Sequence, residues 1–380
     1  MNILITGGAG FIGSATALEL IKKQHNVFVL DIFSKQIHGE NYKKSYLYKR
    51  IVDKCNIING DINDRDKLIK TIYGIDCIIH MAAETGTGQS MHEVNSYTRT
   101  NVMGLSNIFD VILKNGFKPK QFILSSSRSV YGEGPYKCKK HGTIYPNSRE
   151  EAAMESGDFN VKCPICNANV EPFATNNDAV INPVSLYAFT KYAQENLVKI
   201  MCPVLDINYT ILRYQNVFGP GQSLRNPYTG ILSIFSTQLL NNNDINIFED
   251  GKESRDFVYI DDVVFANTAT INNKKAYSKI IDIGSGKATN VLTVANILKE
   301  LLGSKSKIEV TGDFRKGDIR HNFANTTAAR DILNYYPSVS FKGGIRTFSN
   351  WVKTQCLEKD RFINSYNEMK KKGVLIKKNG

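Results

Sequence analysis

The sequence predicts an α/β protein built on a doubly wound parallel β-sheet, with a smaller domain in its C-terminal part. Over the first 130 residues, short apolar runs alternate with amphipathic segments, which is the pattern of β–α–β units. A glycine-rich segment, residues 7–13, follows the first apolar run and opens the first amphipathic one. With 380 residues, of which 42% are hydrophobic and 22% charged, the chain can form a large and a smaller domain around buried cores.

Strands and helices alternate along this first part of the chain. Apolar runs of strand length lie at residues 3–6, 27–30, 57–58, 77–80 and 121–125, and helical periodicity lies at 12–23, 65–73 and 102–115. Because parallel strands are joined by right-handed crossovers, the helices are expected on both faces of one sheet. The pattern breaks after Tyr131 and returns as a helix at 185–201 and a strand at 208–213.

Four regions are expected from this organisation. The sheet domain comprises residues 1–132 and 180–215, and residues 133–179 interrupt it as an insertion rich in Gly, Pro, Asn, Cys and charged residues. The smaller domain is expected at 216–355. A basic C-terminal tail at 356–380, with lysines at 370–372 and 377–378, is expected to be frayed.

The formal charge of +12 allows two interpretations. A basic protein can bind nucleic acid, but most of the positive residues here are scattered, which favours a lysine-rich background and no nucleic-acid partner. The chain has no run near the roughly 20 apolar residues that cross a membrane. Its first apolar run leads directly into Gly7 without a basic leader, so we expect a cytoplasmic protein with no membrane partner.

The glycine-rich segment predicts a dinucleotide site of the Rossmann type. Gly7, Gly10 and Gly13 allow a tight turn, a close approach of the pyrophosphate and close packing of helix on strand. The phosphates would then meet free N–H groups at the helix start. Asp31 ends the next strand, where a carboxylate binds ribose hydroxyls and repels a 2′-phosphate, which predicts NAD rather than NADP. Asp61, after the third strand, is expected near the adenine.

A redox site is indicated by two further segments. Tyr187 and Lys191 are four residues apart and share a helix face. A nearby ammonium and the cofactor's positive charge favour the phenolate, which makes the tyrosine a candidate base. The serine-rich run that ends in Ser127 closes a strand at the carboxyl edge of the sheet, where such sheets carry their sites.

At this point the chain resembles the extended short-chain dehydrogenases/reductases, specifically the nucleotide-sugar 4-epimerases and dehydratases. The resemblance covers about residues 1–350 and rests on separated motifs at 7–13, 80–83, 101–104, 125–132, 187–191, 212–220 and 255–263. Segments 83–90 and 126–134 resemble, within that family, the dTDP-L-rhamnose 4-epimerases, which make dTDP-6-deoxy-L-talose. This group is also associated with a cysteine-bearing insertion.

The resemblance implies roles for individual residues. Tyr187 would be the catalytic base, Lys191 its pKa modifier and a ribose contact, and Ser127 the catalytic hydroxyl. The cofactor set implied is Gly7, Gly10, Phe11, Ile12, Gly13, Asp31, Asp61, Ile62, Ala82, Ala83, Tyr187 and Lys191. The substrate set implied is Glu84, Ser127, Arg128, Asn216, Arg255 and Arg315, in which the arginines would bind the nucleotide diphosphate. For Arg255 and Arg315 the alternative is a salt bridge. His92 is, like Glu84, a candidate substrate contact, and for both the alternative is a structural role.

The reaction predicted is epimerisation at C4 of a nucleotide sugar, with dTDP-6-deoxy-L-hexoses as the favoured substrates. The related dehydratases follow their catalytic hydroxyl with an Asp-Glu pair, whereas this chain has Arg128 and Ser129. Epimerisation needs only oxidation to a 4-keto sugar and return of the hydride to its other face, so NAD stays bound. A UDP- or GDP-sugar epimerase, a dehydratase, a decarboxylase and a reductase remain alternatives, as does a nucleic-acid-binding protein.

The insertion contains two short-spaced pairs of soft metal ligands. Cys138 and His141 form the first pair, and Cys163 and Cys166 form the second, with 21 residues between the pairs. Four such ligands close a tetrahedral zinc site, which predicts a structural zinc knuckle. Unligated cysteines in a flexible loop are the alternative. By resemblance, the helices at 101–115 and 185–201 would pair two subunits in a homodimer.

Overall fold

The computed structural model describes residues 1–228 and 230–378. Its strands are β1 (Asn2–Thr6), β2 (Asn26–Asp31), β3 (Asn56–Asn59), β4 (Cys77–His80), β5 (Gln121–Ser127), β6 (Tyr136–Cys138), β7 (Gly142–Ile144), β8 (Glu171–Pro172), β9 (Asn208–Tyr214), β10 (Asn216–Phe218), β11 (Ile245–Ile247), β12 (Ser254–Tyr259), β13 (Lys279–Ile283), β14 (Ala288–Asn290), β15 (Ile308–Val310), β16 (Phe314–Arg315), β17 (His321–Asn322) and β18 (Leu375–Ile376).

The helices are α1 (Phe11–Lys22), α2 (Lys35–His38), α3 (Tyr46–Lys49), α4 (Arg65–Ile72), α5 (Thr87–Ser90), α6 (Val94–Tyr97), α7 (Gly104–Asn115), α8 (Glu151–Glu155), α9 (Leu186–Val204), α10 (Ile231–Leu240), α11 (Ile260–Ala269), α12 (Val291–Leu302), α13 (Thr327–Leu333), α14 (Phe341–Lys353) and α15 (Phe362–Lys371). A π-helical turn at Thr98–Met103 leads into α7.

The central sheet has seven parallel strands in the order β13-β9-β5-β4-β1-β2-β3. The predicted doubly wound parallel sheet is therefore confirmed. The order reverses between β1 and β4, and in such sheets ligands bind in the crevice at that reversal. The seventh strand, β13, comes from the part of the chain that was expected to form the smaller domain.

Apolar side chains cover both faces of this sheet because strand residues alternate between faces. In β1, Ile3 and Ile5 belong to the core on one face, and Leu4 belongs to the core on the other. On the first face α1 also packs on α11. On the second face α4, α7 and α9 cover the sheet, so the strands are buried on both sides as parallel strands require.

The smaller domain is organised around β12, which pairs with β10, β14 and β17. Helices α10, α12 and α14 pack around a separate apolar core that includes Phe218, Phe257 and Phe348. The insertion forms an antiparallel sheet in the order β7-β6-β8, with its own small core around Tyr136 and Val161.

The C-terminal segment, defined here as residues 356–378, differs from the frayed tail expected from its lysines. It forms α15 and the strand β18, which pairs with β16, and Met369 and Leu375 are buried. The sequence expectation failed because it weighed charge and not the apolar positions between the lysines. Among the described helices, none has the length and apolar character that crossing a bilayer requires.

Candidate active site

A cavity of 730 Å³ lies at the carboxyl edge of the sheet, where the strand order reverses. All twelve residues of the predicted cofactor set line it, although they come from segments spread over 185 positions of sequence. A second cavity of 350 Å³ shares Tyr187 with the first. Five of the six predicted substrate residues line this second cavity: Ser127, Arg128, Asn216, Arg255 and Arg315. Glu84 lines the first.

The glycine loop forms the tight turn that its sequence predicts. Gly7 has a φ of +68°, and a Cβ there would lie 2.7 Å from the backbone N of Ala82. A Cβ on Gly13 would lie 2.5 Å from the carbonyl oxygen of Gly7. Gly10 precedes the first turn of α1, and no side chain of the described residues caps it. The first-turn N–H groups of α1 therefore remain available to an anionic ligand.

Asp31 both stabilises the loop and faces the cavity. Its two carboxylate oxygens accept hydrogen bonds from the backbone N–H of Ala9 (3.0 Å) and Phe33 (2.8 Å). Burial raises the pKa of this carboxyl, and the backbone hydrogen bonds oppose that shift. Asp61 lies at the same cavity, where Arg99 contacts its carboxylate at 3.3 Å.

Tyr187 stands between the two cavities, near the start of α9. The hydroxyl of Ser185 caps this helix by accepting a hydrogen bond from Ala188 N–H at 3.2 Å. Burial raises the pKa of the Tyr187 phenol, while the nearby Ser127 hydroxyl and the charge of Arg128 lower it. Ser127 and Tyr187 both line the second cavity.

Lys191 lies one helical turn beyond Tyr187 and is 3% exposed. Its ammonium donates a hydrogen bond to Gln194 Oε1 at 2.6 Å, and burial lowers its pKa to about 7. Gln194 in turn donates to the carbonyl of Asn101 at 2.8 Å and contacts His80 Nε2 at 3.2 Å. His80 also bonds the Thr6 hydroxyl at 2.8 Å, so it is a packed core side chain.

A buried ion-pair network holds β5, α9 and β13 together behind these residues. Arg213 donates two hydrogen bonds to Glu195, at 2.8 and 2.7 Å, and a third to the Tyr131 hydroxyl at 2.6 Å. Glu195 also accepts from Ser126 at 2.6 Å, and Tyr131 donates to Asp282 at 2.9 Å. The network fixes the strand that carries Ser127 relative to the helix that carries Tyr187.

The arginines of the second cavity share one carboxylate. Arg255 donates to Asp318 at 3.0 Å and Arg315 donates to its other oxygen at 2.6 Å. Burial alone would raise the pKa of Asp318, but the two guanidinium groups lower it well below its usual range. Arg128 is nearby, and burial together with the charge of Arg255 lowers its pKa to about 9. Three cationic groups therefore converge on one cavity, in which Arg255 and Arg315 share Asp318, and which Glu249 and Glu253 also line.

Glu84 and His92, the two other candidates for contact with the substrate, lie in different parts of the structure. Glu84 follows β4, where its backbone exchanges two hydrogen bonds with the Asn101 side chain, at 2.8 and 3.1 Å. His92 lies against Tyr228, with ring centroids 6.0 Å apart, and 3.7 Å from the Glu368 carboxylate. It therefore contacts the C-terminal segment.

The four predicted metal ligands lie together in the insertion. Cys138 ends β6, His141 occupies the following turn, and Cys163 and Cys166 flank a second turn. Their ligand atoms are all within 4.8 Å of one another. The Cys138 and Cys163 sulfurs are each 3.5 Å from His141 Nδ1, and the sulfurs of Cys138 and Cys166 are 3.7 Å apart.

Sequence reasoning missed the connection between the insertion and the second cavity. Arg149, in the insertion, donates two hydrogen bonds to Glu249, at 2.7 and 2.8 Å, and one to the Asp318 carbonyl at 3.0 Å. Its Nε is 3.3 Å from Glu133, and all three side chains of this ion-pair set are buried. An arginine in an otherwise irregular, polar loop was the available signal, but nothing in the sequence indicates its distant partners.

Two family models match the chain. The model described as GDP-mannose 4,6 dehydratase matches residues 4–151, and that of the NAD dependent epimerase/dehydratase family matches residues 167–284. The dTDP-L-rhamnose 4-epimerase of Burkholderia thailandensis is 36% identical over 359 residues, which cover 92% of this chain and 94% of that protein. The chain belongs to the NAD-dependent epimerase/dehydratase family.

Solved structures agree with this membership. The UDP-glucose 4-epimerase of Thermotoga maritima, solved with UDP-glucose, is similar with a TM-score of 0.74 and 27% identity, over 93% of this chain and 99% of that one. The UDP-glucuronic acid 4-epimerase of Bacillus cereus, solved with UDP-glucuronic acid and NAD, has a TM-score of 0.75 and 25% identity over the same shares. The expectation of an enzyme of the nucleotide-sugar 4-epimerase class is confirmed.

Proposed function

We propose that this member of the family interconverts the C4 epimers of a dTDP-6-deoxy-L-hexose, rhamnose and talose, with NAD as a resident cofactor. The observation that supports the chemistry most directly is the position of Tyr187, which lines both cavities and shares the second with Ser127. The preference for the dTDP sugar rests on the similarity to the Burkholderia enzyme. UDP- and GDP-sugars are the competing substrates.

The residues of the first cavity fit NAD. The glycine loop leaves no space for side chains at Gly7 and Gly13, so the backbone can approach a pyrophosphate closely. Uncapped N–H groups at the start of α1 suit its negative charge. Asp31 suits ribose hydroxyls and disfavours a 2′-phosphate. NAD, when bound, accepts the hydride from C4 of the sugar and supplies a positive charge beside the phenol.

In this mechanism the chain's own residues move and hold one proton. Tyr187 accepts the proton of the C4 hydroxyl, and Ser127 holds that oxygen and the phenol in line by hydrogen bonds. Burial keeps the phenol neutral without the cofactor, and the positive charge of Arg128 favours its ionised form. The family resemblance gives Lys191 the same role. When the hydride returns, the sugar has turned its other face toward the cofactor. Tyr187 then gives the proton back to the C4 oxygen of the sugar.

The side chains next to Ser127 favour epimerisation over dehydration. Arg128 and Ser129 line the second cavity at positions where the related dehydratases have an acid pair. A guanidinium and a hydroxyl are poor groups for removing water from a 4-keto sugar, since neither supplies an acid and a base near neutral pH. Arg128 instead adds to the positive charge that would bind a diphosphate.

Turnover of a panel of dTDP-, UDP- and GDP-hexoses tests this proposal. The wild type should interconvert C4 epimers without consuming added NAD and with dTDP sugars as the best substrates. Tyr187→Phe should lose about 10²- to 10⁴-fold in kcat, whereas Tyr192→Phe on the same helix serves as a matched control and should retain activity. Release of water or CO2, or stoichiometric cofactor use, would instead establish one of the alternative reactions.

We also propose that the insertion binds a structural zinc ion through Cys138, His141, Cys163 and Cys166. In a tetrahedral site with Zn–S bonds of about 2.3 Å and Zn–N bonds of about 2.0–2.1 Å, two sulfurs lie about 3.8 Å apart and a sulfur and a nitrogen about 3.5 Å. The separations of 3.7 Å and 3.5 Å in the cluster match this geometry. Four protein ligands leave no open position for catalysis.

Metal analysis of the purified protein tests the zinc proposal. About one zinc per chain is expected, and Cys163→Ser should lower both the zinc content and the melting temperature. Cys356→Ser is the matched control because Cys356 is exposed and lies outside the cluster. Metal-free wild-type protein that unfolds at the same temperature with and without added zinc would contradict the proposal.

We propose, finally, that α7 and α9 pair two chains in a homodimer. These helices carry the exposed apolar side chains of Leu113, Phe189, Ile200 and Val204. Large apolar side chains grouped on a surface are typical of interfaces. Ile200→Glu should convert a dimer into a monomer in analytical ultracentrifugation, whereas Val310→Glu, on a residue that is also exposed but lies on β15, should not. A wild-type monomer would refute the pairing.

A further inference from the structure

We propose that the C-terminal segment completes the nucleotide end of the substrate cavity, with Phe362 as a contact residue for the base of a nucleoside diphosphate. This inference rests on the proposed function, because it assigns one end of the same cavity. It gives a binding role to a part of the chain whose lysines suggested only a solvated tail.

Phe362 lies in the wall of the second cavity, at the start of α15. Its ring centroid is 6.3 Å from that of Phe248, at an interplanar angle of 34°. Tyr366, one turn further along α15, stands 6.4 Å from Phe248 at 37°. Rings in this arrangement form an apolar surface with aromatic faces, of the kind on which nucleobases stack.

This surface adjoins the cationic part of the cavity. The guanidinium of Arg315 lies over the Phe248 ring, 5.3 Å from its centroid, and shares Asp318 with Arg255. Planar guanidinium groups suit phosphate oxygens. A ligand that places negative phosphates at the arginines and a flat ring on the neighbouring aromatic surface is a nucleoside diphosphate. Its sugar would then extend toward Ser127 and Tyr187 at the other end of the cavity.

The segment is anchored to the same wall by several contacts. Strand β18 pairs with β16 so that Leu375 stands opposite Arg315, and Lys316 N–H donates to the Val374 carbonyl at 2.9 Å. On α15, Tyr366 donates to Asp313 at 2.5 Å. The Glu368 carboxylate accepts from the Tyr228 hydroxyl at 2.6 Å. The segment therefore holds the strand of Arg315 as well as presenting Phe362.

Calorimetric binding of UDP, dTDP and inorganic pyrophosphate to the full-length protein tests this assignment. Phe362→Leu keeps an apolar side chain for packing but removes the ring face, and Phe362→Ala removes both. Each should weaken UDP and dTDP binding by about ten-fold or more, the scale of losing one stacked aromatic. Pyrophosphate lacks a base, so its affinity should stay within about two-fold. Ile363→Ala, exposed on the same helix, is the matched control.

Melting temperature and NAD affinity show whether the variants are folded. Because Phe362 is buried, Phe362→Leu should lower the melting temperature by a few degrees at most and leave the NAD affinity unchanged. Unchanged UDP and dTDP affinities in this folded variant would overturn the inference. An equal loss of pyrophosphate affinity would also overturn it, since the segment would then act only on the arginines. A wild type that binds UDP or dTDP but epimerises no nucleotide sugar would refute the proposed function and not this assignment.

Discussion

Replacing Arg149 by methionine would test how far the insertion supports the substrate cavity. The guanidinium lies between Glu133 and Glu249, and its side chain is 4% exposed. Methionine has a similar length but supplies neither charge nor donors. The variant would leave two buried carboxylates without their shared cation and the Asp318 carbonyl without a hydrogen bond of 3.0 Å.

The expected loss in free energy of unfolding depends on the hydrogen bonds that each of the two glutamates retains in the variant. Removing one partner of a buried ion pair costs about 3–5 kcal/mol. Glu249 keeps a hydrogen bond of 2.8 Å from Arg320, and Glu133 keeps those from Tyr136 and the Arg320 backbone. The variant should therefore lose about 3 kcal/mol in free energy of unfolding at pH 8, the lower end of that range.

The loss should shrink as the pH falls. Burial raises the pKa of Glu133, and the charge of Arg149 opposes that shift, so the pKa rises further in the variant. A raised pKa in the folded state means that the folded variant binds a proton that the unfolded chain has released. Its relative stability therefore increases as the pH falls through that pKa, by up to about 1.4 kcal/mol per pH unit.

Urea unfolding of both proteins at pH 8, 7, 6 and 5, with equal NAD and zinc, would measure this dependence. Lys162→Met is a matched control in the same insertion, because its ion pair with Asp158 is about one-third exposed and should contribute less than about 1 kcal/mol. The variant should also have a raised KM, since Arg149 supports the segment that carries Asp318. A loss below about 1 kcal/mol at pH 8, or one that grows toward pH 5, would refute the reasoning.

Three further predictions concern single side chains. Asp31→Asn should weaken NAD binding by about ten-fold and improve NADP binding, because the charge that repels a 2′-phosphate is gone; fluorescence titration measures both, and unchanged selectivity contradicts the prediction. Gly13→Ala should lower the free energy of unfolding by about 1–3 kcal/mol and weaken NAD retention, since its Cβ would lie 2.5 Å from the Gly7 carbonyl oxygen. Gly343→Ala is the control, because its Cβ would meet only Ser340 Oγ at 3.3 Å. It should change neither the free energy of unfolding nor NAD retention appreciably. Burial and the charge of Glu249 raise the pKa of Glu253 from 4.5 to about 8, so the folded wild type should lose stability as the pH rises between these values. In urea unfolding, the free energy of unfolding of Glu253→Gln should therefore increase relative to that of the wild type from pH 5 to pH 8. A difference that stays constant over this range would contradict the assignment.

The sequence was sufficient for the parts of the fold whose signals are local. Strands β1, β2, β4 and β5 and helices α1, α4 and α9 lie within a few residues of their predicted positions, because buried parallel strands are short apolar runs. The cofactor cavity was predictable for a related reason. Most of its residues end a strand or follow one closely, and the carboxyl ends of parallel strands meet at one edge of the sheet. Tyr187 and Lys191 lie on α9 and were identified by their spacing on one helix face.

The remaining parts depend on pairings between distant residues, which no local pattern encodes. Asp318 was visible in the sequence, but not its position between Arg255 and Arg315. Gln194, which binds the Lys191 ammonium, resembles any polar residue on a helix. The C-terminal segment was misjudged because its apolar residues form only short runs, Phe362–Ile363 and Val374–Ile376, beside lysine clusters. Only their packing on other elements distinguishes them from a solvated tail.

The position of β13 has a consequence for how the protein is made. Strand β9 ends at Tyr214, and its neighbour β13 begins only at Lys279, 65 residues later. At a synthesis rate of about 5–20 residues per second, β9 waits roughly 3 to 13 s on the ribosome as an open, apolar sheet edge. Open edges recruit other chains. Truncated chains that end near residue 215 should therefore aggregate, and soluble expression should require synthesis to continue at least through Ile283.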